Sequence, residues 1–171
     1  MSTNKRQIEF FFDYACPYCN KIYHSLAELI SHFPGTEIIW RPCESHPRPN
    51  RHDQHQHSDL CIQAMFFAAE HGTDMQKYHE RAFSLMHESS VNVEDIDILS
   101  QSLSDLLNTE SLRDALLTEK YAPALQAANA YAFEQSEVWA LPAFRMDSRK
   151  LDSELEIGIT HDQLLEFLGR V

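Results

Sequence analysis

Ile8-Glu9-Phe10-Phe11-Phe12-Asp13-Tyr14-Ala15-Cys16-Pro17-Tyr18-Cys19 couples a short apolar run to a pair of cysteines. The run from Ile8 to Phe12, ended by Asp13, suits a buried strand. Beyond the cysteines Ile22, Leu26, Leu29, Ile30 and Phe33 recur at helical spacing up to Pro34-Gly35, a clear helix stop. Glu37 to Arg41, with Ile38, Ile39 and Trp40, then reads as a second strand. Strand, helix and strand in this order form a βαβ unit, so the two strands are expected to run parallel with a right-handed crossover.

The cysteines stand where the first strand hands over to the helix. A helix beginning at Cys16 or Pro17 directs its unpaired N–H groups and the positive end of its dipole at the first sulfur, which favours thiolate over thiol. Pro17 suits the first helical position, where no N–H is needed and φ is already helical. The two intervening residues bring Cys19 round one turn to face Cys16. The spacing implies a dithiol for disulfide exchange, with Cys16 as nucleophile and Cys19 as resolving thiol. Half of a zinc site is the competing reading, but no second C-x-x-C supplies the remaining ligands, and no metal is assigned. Asp13 is open to two roles, proton acceptor for Cys19 or turn and cap residue.

The 171 residues, 43% of them hydrophobic, suffice for one good core and leave little room for two, so a single domain over 1–171 is expected. A formal net charge of -12 argues against a nucleic-acid or anionic-membrane surface, because both reward clustered Lys and Arg. Proteins or small thiols fit better as partners; no oligomeric state follows. Met1 to Gln7 is polar, nothing behind it has the length of a signal peptide, and no run approaches the roughly 18 residues that span a bilayer. A cytoplasmic chain is therefore expected, in which four cysteines are too few for a disulfide scaffold and a C-x-x-C is more readily catalytic than structural.

Pro42 to His57 is a proline-rich polar loop, and from Ser58 to about Gln135 the pattern is helical throughout. Ser58 is a candidate cap for the first helix, with Gly72 as its stop; Thr73 or Asp74 opens the second and Asn92, with Asp95, the third. Thr109 opens a fourth helix, and Pro123 begins a fifth running through Tyr131 and Ala132. β texture returns at Val138 to Met146 and around Leu151 to Ile157. Thr160 with Gln163 at capping-box spacing then starts a final helix ending before Gly169. The order is βαβ, a helical block, then ββα. This is an α/β thioredoxin-like fold with a core of about 7–56 and 136–171 and an inserted all-helical subdomain of about 57–135.

Phe12 to Cys19 resembles the active-site segment of the DsbA-like thioredoxin-fold thiol-disulfide oxidoreductases, whose relatives include FrnE-like proteins and kappa-class glutathione transferases. Val138-Trp139-Ala140-Leu141-Pro142-Ala143-Phe144 resembles that family's cis-proline segment, and Glu156-Ile157-Gly158-Ile159-Thr160 its junction of last strand and last helix. The resemblance implies a cis Leu141-Pro142 bond beside the Cys16 sulfur. A catalytic group of Cys16, Cys19 and Pro142 follows, with Pro17, Tyr18 and the exposed backbone of Leu141 meeting substrate. It implies no cofactor, with glutathione possible as co-substrate. Strongly oxidising members carry a His between the cysteines, where this chain has Pro17-Tyr18, the pair familiar from glutaredoxins, so extreme oxidising power is not expected. Leu141 stands where Val or Thr is commoner, and substrate preference is not inherited. The alternatives are a glutathione-dependent transferase or isomerase of the kappa-class type and a non-catalytic metal- or partner-binding module.

His46, His52, His55 and His57, with Asp53 and Cys43 nearby, could converge on zinc or copper, but their spacing matches no standard site. A solvated loop bordering the dithiol is expected instead. Cys61 lies on an apolar stripe and reads as a buried thiol, whereas Cys43 is open to exposure or to pairing with it. Met65, Phe66, Phe67, Met75, Phe83 and Met86 read most simply as core, with an apolar groove facing the dithiol as the lesser alternative.

Overall fold

Strand β1 (Arg6–Phe12) sits in the middle of the molecule, because its side chains are buried on both faces toward its end. Ile8, Phe10 and Phe12 point to one face and Phe11 to the other, as the two-residue period of a strand requires. The structure, a computed structural model, describes residues 5–49 and 55–169. β1 runs parallel to β2 (Thr36–Pro42), from Arg6 opposite Thr36 to Phe12 opposite Pro42. It pairs antiparallel with β3 (Ala143–Met146), and β3 pairs antiparallel with β4 (Arg149–Asp152). The four-stranded order is β2-β1-β3-β4.

Helix α1 (Pro17–Leu29), extended by a 3-10 turn at Ile30–His32, connects β1 to β2 and buries Cys19, Ile22, Tyr23, Leu26 and Leu29. Between β2 and β3 come α2 (Asp59–Glu70), α3 (Met75–His87), α4 (Ile96–Ser102), α5 (Thr109–Leu117) and α6 (Ala122–Ala130), which continues as a π-helical turn over Tyr131–Gln135. Helix α7 (His161–Gly169) closes the chain, its start fixed by reciprocal bonds between Thr160 and Gln163 at 2.8 and 3.2 Å. Among the described residues no helix is long and apolar enough to cross a membrane.

The main core joins the Ile8, Phe10 and Phe12 face of the sheet to α1, α7 and the helical block. Phe10 stacks on Phe12 at 5.0 Å and on Phe144 at 4.8 Å. Each such buried ring contributes about 1.5–3 kcal/mol, and truncating one to Ala costs about 3–5 kcal/mol. A second, smaller cluster on the opposite face holds Phe11, Cys43, Ala132, Val138 and Ala143. Met65, Phe67 and Phe83 are buried, with Phe66, Met75 and Met86 packed against them, so the apolar residues of the insertion are core.

Several boundaries differ from the sequence reading. β3 begins only at Ala143; Val138 to Pro142 is irregular, and Pro142 has no N–H to give a ladder. β4 ends at Asp152, and Leu155 to Ile157 form a turn closed by Gly158 N donating to Glu154 O at 2.9 Å. The α4 cap is Asp95 and the α5 cap is Asn108, because these carboxylate and amide oxygens reach the second or third helical N–H. Ser58 gives α2 no side-chain cap; its hydroxyl is used elsewhere.

Candidate active site

Beyond Phe12 the chain makes one turn, Asp13 to Cys16, before α1 begins. The Asp13 carbonyl accepts from Cys16 N at 3.0 Å, and Asp13 Oδ1 accepts from Ala15 N at 2.9 Å. The carboxylate is buried and takes two further donors, Ser45 N on Oδ2 at 2.7 Å and Ser58 Oγ on Oδ1 at 2.5 Å. Asp13 thus ties this turn to the loop after β2 and to the start of α2. Of the two roles open to it, the geometry displays turn anchor.

Cys16 is the N-cap of α1, with φ -81° and ψ 118°, and its Sγ accepts from Cys19 N at 3.3 Å. Pro17 occupies the start of the helix, and Cys19 is fully buried behind Cys16. Hydrogen bonding from the Cys19 side chain, then from the backbone N–H groups of Cys19 and Tyr18, holds the Cys16 thiol below its ordinary value, against burial and the Asp13 charge. Burial pushes the Cys19 thiol well above its ordinary value, and the neighbouring Cys16 sulfur adds to the rise. The surroundings thus favour the thiolate at Cys16 and the protonated thiol at Cys19.

The Leu141-Pro142 bond is cis, and the Leu141 carbonyl oxygen lies 4.0 Å from Cys16 Sγ. Pro142 is buried, and Leu141 is half-buried against both core clusters. Tyr18 is 37% exposed and donates its hydroxyl to Glu156 O at 2.9 Å. Gly158, with φ +81°, comes so close to the Tyr18 ring that a Cβ there would lie 2.9 Å from Cδ1. This clips the first turn of α1 to the loop before α7. Leu155 and Ile157 of that loop are exposed, as is Trp139 ahead of Leu141, so with Tyr18 three segments carry exposed apolar side chains.

A cavity of about 340 Å³ has Cys16 and Tyr18 in its wall together with His46, His55 and His57. His57 meets Glu94 Oε1 through both its backbone N, at 2.8 Å, and its ring Nδ1, and Arg48 lies 3.5 Å from the same oxygen. His52 and Asp53 lie outside the described residues. Among the described residues no three His, Cys, Asp or Glu side chains are grouped to hold a metal. A larger polar groove of about 760 Å³ runs over Glu9, Arg41 and Arg145 and includes neither Cys16 nor Cys19.

Cys43 is buried rather than exposed, and its thiol donates to Phe12 O at 3.7 Å. It belongs to the smaller cluster and Cys61 to the main core, and both are free thiols. Burial pushes the pKa of each thiol well above its ordinary value. Sequence reasoning did not single out His79 or His87, and it gave Ser58 a capping role where its hydroxyl instead holds Asp13. The one available signal was His79 beside Tyr78, Ala82 and Phe83 on the apolar stripe of α3, since a buried imidazole needs a partner.

The model of the DSBA-like thioredoxin domain matches residues 7–157. The uncharacterized protein YwbO of Bacillus subtilis is 24% identical, over 80% of this chain and 84% of its own. Among solved structures, BdbD of Bacillus subtilis in its oxidised form superposes with a TM-score of 0.72 at 14% identity, covering 98% of this chain and 88% of that one. DsbA of Chlamydia trachomatis gives 0.69 at 14% identity, covering 95% and 84%, and the thiol-disulfide oxidoreductase MdbA of Actinomyces oris 0.68 at 15%, covering 97% and 81%. At such identities the structures speak for the fold alone, a DsbA-like thioredoxin fold whose four-stranded mixed sheet carries the helical block between β2 and β3. With the family's model matched over residues 7–157, the chain belongs to the DSBA-like thioredoxin domain family.

Proposed function

We propose that this protein is a thiol-disulfide oxidoreductase working through Cys16 and Cys19. The observation that carries this reading is the Cys16 sulfur at the α1 N-terminus, accepting from Cys19 N at 3.3 Å and lying 4.0 Å from the Leu141 carbonyl. In the reductive direction the Cys16 thiolate attacks one sulfur of a substrate disulfide, forming a mixed disulfide and expelling the other as thiolate. Cys19 loses its proton and attacks Cys16 Sγ; the Cys16–Cys19 disulfide forms and the substrate leaves as a second thiolate, having gained the two electrons the dithiol lost. The reverse sequence oxidises a substrate dithiol. Leu141 offers backbone to an extended chain on one side of Cys16, and the apolar surface of Tyr18, Trp139, Leu155 and Ile157 suits unfolded polypeptide. No bound cofactor takes part.

A redox titration of Cys16 and Cys19 in graded glutathione buffers, read by alkylation and mass, tests the assignment. A two-electron transition near about -270 mV marks a reductase and one near about -120 mV an oxidant. Cys16→Ser abolishes exchange and Cys19→Ser accumulates mixed disulfides; unchanged exchange in the Cys16 variant overturns the reading. A second reading, glutathione as co-substrate, has the 340 Å³ cavity in its favour, within the range of about 300–1,000 Å³ usual for small ligands. Calorimetric titration with glutathione decides it.

A further inference from the structure

We propose that His79 and His87 of α3 are positioning residues for the dithiol, holding Tyr14 at its hydroxyl and at its carbonyl and thereby fixing the turn that presents Cys16. The proposal rests on the oxidoreductase reading of Cys16 and Cys19. Tyr14 stands two residues before Cys16 and is fully buried. Its hydroxyl lies 2.8 Å from His79 Nδ1, and its carbonyl accepts from His87 Nε2 at 2.7 Å. One helix of the insertion therefore reaches the active-site turn twice, from positions about 12 Å apart along its axis.

The His87 contact acts on a single peptide group. The oxygen of the Tyr14–Ala15 peptide is held by His87, and its N–H is held by Asp13 Oδ1 at 2.9 Å. The next N–H, that of Cys16, is held by the Asp13 carbonyl at 3.0 Å. These three bonds set the backbone immediately ahead of Cys16, whose extended φ and ψ keep its sulfur over Cys19 N. Freeing the Tyr14 oxygen lets this peptide rotate and carries the sulfur off its donors.

His79 cannot be explained by packing. It is fully buried, lies 4.0 Å from Trp40 ring to ring and meets Phe12 edge-on at 5.6 Å, an environment suited to a phenyl ring. Its Nε2 finds no hydrogen-bond partner among the described residues. A buried polar atom left so carries a desolvation cost that an apolar ring of similar shape would not incur. What the imidazole supplies and a phenyl ring does not is the bond to the Tyr14 hydroxyl, which anchors the side chain whose backbone His87 holds.

The test uses the reduced full-length protein and the variants Tyr14→Phe, His79→Phe, His87→Ala and His87→Gln. Thermal melts followed by circular dichroism establish that each is folded; the Cys16 titration, by thiolate absorbance and alkylation rate against pH, is the readout. His87→Ala, His79→Phe and Tyr14→Phe are expected to raise the Cys16 midpoint by about half a unit, slowing alkylation near neutral pH about threefold. His87→Gln, which keeps a donor for the Tyr14 carbonyl, restores most of the rate. Folded Tyr14→Phe and His87→Ala proteins with the wild-type titration overturn the proposal and leave both histidines as core residues. If His87→Ala does not fold, Tyr14→Phe and His79→Phe decide in the same way. Absence of any intramolecular disulfide in the wild-type protein would sink the oxidoreductase reading separately, while the Cys16 titration still judges the positioning role.

Discussion

Cys16 and Cys19 are chemically identical groups one helical turn apart, and their surroundings drive them in opposite directions. The Cys16 pKa is lowered by donors on Cys19 and Tyr18, while that of Cys19 is raised by complete burial. In the reduced native protein iodoacetamide is therefore expected to label Cys16 alone, with a rate that rises with pH through a midpoint below the ordinary thiol value of 9.0. Peptide mass mapping checks this, and labelling of Cys19 at a comparable rate would contradict it. His79 makes a second prediction at this scale, because burial drives its pKa down from 6.5 to about 3. Between those values the unfolded chain binds a proton that the folded chain does not. The neutral-imidazole contribution is thus intact above pH 6.5 and is lost as pH falls, by about 1.4 kcal/mol per unit at most. Urea melts from pH 7 to 4 should show this slope, and His79→Phe should flatten it.

At the scale of elements, the junctions are more informative than the helices they join. Gly158→Ala must place a Cβ 2.9 Å from the Tyr18 ring at a residue with φ +81°, so it should cost about 1–3 kcal/mol and move Tyr18 away from Glu156. A lowered melting temperature together with reduced exchange would show both effects. The same pattern of local success and non-local failure runs through the caps. The Thr160 and Gln163 capping box was legible because its two bonds join residues three apart. Ser58 looked like a cap on the same logic, yet its hydroxyl goes to Asp13, 45 positions away, and a distant partner outcompetes the helix N–H groups. β3 came out shorter than its β texture because pairing starts only where Ala143 meets Phe11.

Over the whole molecule, Tyr18, Trp139 and Ile157 stand out among the exposed apolar side chains because they lie on three segments far apart in the sequence, the start of α1, the stretch before Leu141 and the loop that Tyr18 reaches through Glu156. Trp139→Ala with Ile157→Ala should raise KM for a reduced, unfolded protein about tenfold and affect a small disulfide substrate much less. Equal effects on both substrates would place the loss at the dithiol itself. The sequence by itself determined the element order, the parallel pairing of β1 and β2 and the placing of Cys16 and Cys19 at a helix start. Those features depend on periodicity, stop signals and caps within a few residues. Only the tertiary structure decided that Asp13 ties its turn to Ser45 and Ser58, that Cys43 and Cys61 fall in separate buried clusters, and that His79 and His87 meet Tyr14. These contacts join residues that only chain folding brings together, and no local pattern encodes which distant group will satisfy a buried polar atom.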